Sequence, residues 1–142
     1  MRTSERGKEL IKSFEGLRLQ SYQCLAGIWT IGYGHTKNVS RGDVMTRETA
    51  EHYFNESILQ KEQIVKKFVM VSLNQQQFDA LVSFVFNLGE GNFRRSTLLQ
   101  KINQNDFAGA SQEFKRWIYA NGKQAPGLLR RRKAEEQLFS QP

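Results

Sequence analysis

An α+β fold, mainly helical with a small antiparallel β-sheet near the N-terminus, is what this sequence predicts. Three observations carry it. Helical apolar periodicity runs through most of residues 46–139. Residues 17–40 instead alternate at strand period and are broken by glycines. The chain has 142 residues, a 39% hydrophobic share and ten Phe, enough for one packed domain with a real core. There is no internal repeat and no low-complexity segment.

The elements follow in order. Residues 4–14 read as a helix with Leu10, Ile11, Phe14 and then Leu17 on one face. Thr3 or Ser4 can cap it, and Gly16 suits the position just past its end. Leu17 and Leu19 then alternate with Arg18 and Gln20, which is strand spacing. Leu25-Ala26-Gly27 reads as a hairpin turn, and Ile28–Tyr33 is a β-branched and aromatic second arm. Thr46 starts a second helix, striped by Ala50, Tyr53, Phe54, Ile58, Ile64, Val65 and Phe68, with a possible break before Ile64. Asn74 caps a third, with Gln77 three residues on as in a capping box. Its run from Phe78 to Leu88 is apolar nearly all round, the mark of a central buried helix, and Gly89 ends it. Ser96 and Asp106 open two short helices. Asn121–Gly127 reads as a loop, and a last helix runs from Leu128 to about Phe139.

Charge and cysteine use narrow the function classes. Net charge is +7, which favours an anionic partner such as nucleic acid, a membrane face or a cell-wall polymer, or simply serves solubility. No apolar run approaches the ~20 residues that span a bilayer, so no stable membrane insertion is expected. Residues 1–14 are too charged for a signal peptide. The single Cys24 excludes an internal disulfide and suits a reducing compartment. His35 and His52 have no Cys or Asp cluster beside them, so neither a metal site nor a cofactor is expected.

Three residues of the N-terminal stretch bear chemistry. Glu15 closes a helix, where the macrodipole is negative, and lies between apolar Phe14 and Leu17. Both features favour the protonated acid, which can protonate a leaving oxygen. Taken alone, Glu15 is more simply a surface residue on a frayed helix end. Cys24 and Thr30 lie three residues either side of Gly27. In a hairpin centred there they face each other with Cβ atoms about 5 Å apart. Cys24 reads either as a nucleophile or as a small buried hydrophobe, and Thr30 as a water holder or an ordinary strand residue. His35 reads as structural, hydrogen-bonded to a carboxylate behind its strand.

The spacing Glu15, eight residues, Cys24, five residues, Thr30 lies inside Glu-Gly-Leu-Arg-Leu…Trp-Thr-Ile-Gly-Tyr-Gly-His-Thr. That segment resembles the catalytic segment of phage lysozymes, the endolysins of glycoside hydrolase family 24. Phe84–Gly89 and Gly91–Leu99 resemble the family's central helix and the turn after it. Arg116–Ala120 through Gly127–Arg132 resembles its C-terminal end. Three motifs in order span nearly the whole chain.

The resemblance implies a lysozyme-like, two-lobed fold in a single domain over residues 1–142. The sheet lobe would cover about 15–45; the helical lobe would cover about 46–142 plus the N-terminal helix. It implies hydrolysis of the β-1,4 bond between N-acetylmuramic acid and N-acetylglucosamine in bacterial peptidoglycan, leading to host cell lysis. Glu15 is then the proton donor, Cys24 the second catalytic group and Thr30 the third member of the triad. Phe86, Asn87 and Ser96 match substrate-binding positions of the cleft wall. Cys24 stands where the family most often has Asp. A rule based on the separation of two carboxylates therefore cannot predict the stereochemical outcome. The implied life history is that of a monomer held in the host cytoplasm, released through a separate holin. A dead wall-binding module is disfavoured by Glu15 and Thr30. A membrane disruptor acting through Arg130–Lys133 is disfavoured because that run reads as a solvated helix face. Nucleic-acid binding has no motif to support it.

Overall fold

In a computed structural model that describes residues 1–142, the helices and the N-terminal sheet expected from the sequence are present. Helix α1 spans Glu5–Glu15. The Ser4 hydroxyl accepts from the Gly7 amide, and Gly16, at φ +71°, closes the helix with its N–H on the Lys12 carbonyl. Strands β1 (Arg18–Gln23) and β2 (Trp29–Gly32) pair antiparallel. Val44 bridges to Gln20 on the outer edge, so the chain leaving β2 returns to cover β1.

Helix α2 (Arg47–Phe68) is capped by Thr46 and unbroken, so the expected interruption before Ile64 is absent. Its 22 residues give a rod of ~33 Å that packs on β2 and on the central helix. The central helix α3 spans Gln75–Arg95 and carries the full Asn74–Gln77 capping box. Gly89, at φ +86°, breaks the helical path, so the sequence signal for an end there marks a real kink. Every residue from Phe78 to Val85 is buried.

Helices α4 (Thr97–Asn103) and α5 (Phe107–Glu113) follow, capped by Ser96 and Asp106. A 3-10 turn at Phe114–Arg116 leads into a two-residue hairpin, β3 (Tyr119–Ala120) with β4 (Lys123–Gln124). This hairpin corrects the loop expected there. Asn121 and Gly122 both take positive φ, the dihedrals a tight two-residue hairpin turn requires. Helix α6 (Pro126–Phe139) begins two residues before the expected start, with Pro126 in its first turn, where a missing N–H costs nothing. The core forms around Phe84, which meets Phe93, Phe114 and Trp117 edge to face. No helix is long and apolar enough to cross a membrane.

Candidate active site

Glu15 is the last residue of α1, and its carboxylate is gripped from a distant part of the chain. Arg131 Nη1 of α6 donates to Glu15 Oε2 at 2.6 Å. Arg131 is 4% exposed and the Glu15 side chain 18%, so the pair is shielded from water. The guanidinium thus anchors one carboxylate oxygen at the C-terminal end of α1. Glu15 Oε1 accepts no hydrogen bond from the protein and points at Gly34, where an added Cβ would lie 2.8 Å from it. Gly34 has φ +85°, so its lack of a side chain serves both its backbone and the carboxylate.

Arg131 is itself held. Its Nη2 donates to the Ser83 carbonyl of α3, and its Nε to Glu135 one turn along α6. The Ser83 hydroxyl also donates to Glu135, and Arg132 bonds both Glu135 and Asn87 Oδ1, the latter at 2.7 Å. Burial pushes the Glu135 carboxyl above the ordinary carboxylate range, while the two guanidiniums and Ser83 work against that. This network corrects the reading of Arg130–Lys133 as a solvated face. Arg131 and Arg132 are among the most buried polar residues of the protein, because each meets an acid on the inward side of α6.

The hairpin register differs from the expected one. Thr30 pairs with Tyr22 and Trp29 with Gln23. The Cys24 N–H donates to the Ile28 carbonyl at 3.0 Å, and the Gly27 N–H to the Cys24 carbonyl at 2.8 Å. The loop is therefore Leu25-Ala26-Gly27 centred on Ala26, with Gly27 at φ +78° absorbing the bulge. Cys24 is thus diagonal to Thr30 rather than opposite it, yet on the same face, since alternate strand residues point the same way. The backbone N–H groups of Ile28 and Ala26, then the Thr30 hydroxyl, hold the half-buried Cys24 thiol below its ordinary range despite desolvation. Thr30 is buried and donates its hydroxyl proton to the Ile28 carbonyl.

The remaining candidates divide. Phe86 is half-buried and lines a groove of about 740 Å³ between the segment after β2 and α2. Gly34 lines the same groove, so it opens beside Glu15. Asn87 is engaged by Arg132. Ser96 is 2% exposed, and its hydroxyl donates to Phe93 and caps Leu99, which leaves it nothing to offer a substrate. His35 stacks on Tyr53 at 4.2 Å instead of meeting a carboxylate, because α2 presents Tyr53 to that ring. No group of His, Cys, Asp and Glu side chains is arranged to hold a metal ion. Sequence reasoning missed Arg131, Gly34 and the groove residue Lys61. Arg131 lies 116 positions from Glu15, and the only local hint was Glu135 four residues after it.

The sequence profile of phage lysozymes matches residues 12–135. The chain belongs to the phage lysozyme family. It is 51% identical to an endolysin of Acyrthosiphon pisum secondary endosymbiont phage 1, with 98% of each chain covered. Its fold superposes on the muramidase domain of SpmX from Asticcacaulis excentricus with a TM-score of 0.92 and 41% identity, over 99% of both chains. A P22 lysozyme variant gives a TM-score of 0.86 at 36% identity, again over 99% of both. The architecture is lysozyme-like, and this phage lysozyme is a muramidase, a glycosidase.

Proposed function

We propose that the enzyme is an endolysin that hydrolyses the β-1,4 bond between N-acetylmuramic acid and N-acetylglucosamine in peptidoglycan, leading to host lysis. The observation that carries this reading is the Glu15 carboxyl group. One oxygen is fixed by Arg131, and the other has no protein partner and lies against Gly34, a residue that lines the groove. Glu15 acts as general acid, passing a proton from the free oxygen to the leaving sugar oxygen. Arg131 keeps the group aimed between turnovers. The Cys24 thiolate, favoured by the hairpin amides, is the second reacting group, and Thr30 holds the hairpin and its water in register. Phe86 supplies an apolar floor for a sugar ring, and Asn87 holds Arg132 behind it.

The domain reading is a single unit in which residues of about 15–45 form one wall of the cleft and the helices the other. The protein works as a monomer, accumulates in the host cytoplasm and reaches the wall through a separate holin. The test is reducing-end release from purified peptidoglycan, with products identified by mass. Wild type produces muramic acid reducing ends. Cys24→Ala stays folded and loses most turnover, whereas Cys24→Asp restores a large share of it. Glucosamine reducing ends would reject the assigned bond, and a fully active Cys24→Ala would reduce Cys24 to packing.

A further inference from the structure

The groove that opens beside Glu15 continues along α2 to Lys61. Tyr53 stacks on His35, which follows Gly34 directly. Lys61 is eight residues further along α2, ~12 Å down the helix axis. The charged groups of the groove are not equivalent. Asp43 accepts from the Ser40 amide, and Glu56 pairs with His52. Lys37 is exposed to water. Lys61 is half-buried, its Nζ lies 5.7 Å from the centre of the Phe86 ring, and no carboxylate reaches it. Desolvation holds its ammonium below the ordinary lysine range. A partly buried cation without a counter-ion costs stability, and an arriving anion would return that cost as affinity.

We propose that Lys61, over the Phe86 ring, is a binding site for a carboxylate of the muramyl residue in the glycan that the groove receives. The inference rests on the muramidase reading. The ring packs the sugar body while the ammonium takes its acid, so the site discriminates muramyl-bearing glycan from neutral chitin-like glycan. Two sources supply that carboxylate. In peptide-bearing wall the lactyl acid is amidated, and the free carboxylates lie on the stem peptide. In glycan stripped of its peptides the lactyl acid is free.

The experiment compares wild type, Lys61→Met and Lys61→Arg on three glycans. Two are cleavage substrates, intact peptidoglycan and peptide-stripped glycan strands. The third is a neutral N-acetylglucosamine oligomer, followed by calorimetric binding. The Met side chain keeps the packing on Phe86 and removes the charge. Lys61→Met is expected to raise KM about ten-fold, as loss of a charge-assisted hydrogen bond does, with kcat unchanged. An effect on intact wall alone assigns the stem peptide, and an effect on stripped strands assigns the lactyl group. Lys61→Arg recovers KM in either case, and binding of the neutral oligomer is unchanged in all three proteins. An unaltered KM on both wall substrates overturns the site, as does equal weakening of the neutral oligomer. Wild-type failure to release muramic acid ends would instead overturn the muramidase reading.

Discussion

The helices and the N-terminal sheet are held by different forces. All eighteen residues of the main apolar core come from the helices and the 3-10 turn, and none from residues 17–45. In that N-terminal segment only Thr30, Ile31 and Gly32 are buried, while Leu25, Ile28 and Val44 lie open to water. Its order comes from backbone pairing, from the bridge to Val44 and from Tyr33 packing on the helical core. Local opening is easiest where few apolar contacts cross. The proposed thiol and hydroxyl therefore stand on the softer region, and Glu15 stands at the seam, tied by Arg131 to the harder one. The proposed chemistry needs both regions in place at once.

The largest expected effect separates catalysis from folding at that seam. Glu15→Gln keeps the side-chain shape and removes the proposed proton donor. Turnover on purified peptidoglycan should fall about 10²–10⁴-fold, with a thermal midpoint near that of wild type. A Gln variant that cleaves at the wild-type rate would remove Glu15 from the mechanism.

The second effect falls on stability and belongs to the helices. Phe84→Ala opens the centre of the aromatic cluster and should cost about 3–5 kcal/mol in urea unfolding. Ile28→Ala, at an exposed hairpin position, should stay within about 0.5 kcal/mol. Comparable losses for the two would erase the contrast between the regions.

How much of this was legible in the sequence depends on how far each interaction reaches. Ser4, Thr46, Asn74 with Gln77, Ser96 and Asp106 were all readable as caps, because a cap is chemistry across three residues. The β1–β2 hairpin was legible as an element but not in register. A glycine in a left-handed conformation can either centre a loop or absorb a bulge, and the letters do not say which. Asn121-Gly122 carried a hairpin signal that its polar neighbours masked. The grip on Glu15 was illegible, since Arg131 reads as one of three arginines in a row until α6 is docked. The cap of Ser96 was recovered while its cleft role was not supported, because the residue is buried with its hydroxyl bonded to the Phe93 carbonyl and the Leu99 amide.

The smallest effect tests a buried acid of α2. Glu62 is buried on α2 and accepts from the Thr3 amide and hydroxyl and from Arg2. Burial would raise its carboxyl, but the Thr3 hydrogen bonds with the Arg2 charge outweigh it and hold the group below the ordinary carboxylate range. A depressed folded-state value stabilises the protein above the unfolded value, near 4.3, and that contribution fades as pH falls through the lower one. Glu62→Gln should therefore cost about 1–3 kcal/mol at neutral pH, with the gap to wild type closing below pH ~4. A gap that stays constant down to acid pH would show that the Glu62 charge contributes nothing.

Gly34 has a bearing on inheritance. A Cβ at this position would fall 2.8 Å from the free oxygen of Glu15, and any larger residue would also strain a left-handed backbone. The other oxygen of the same carboxylate is held by Arg131. A random library screened for lysis would thus find codon 34 as intolerant as codon 15, although glycine contributes no reactive group. A lineage that acquired a side chain there would have to rebuild the grip on the acid from a different cation before it could lyse a cell again.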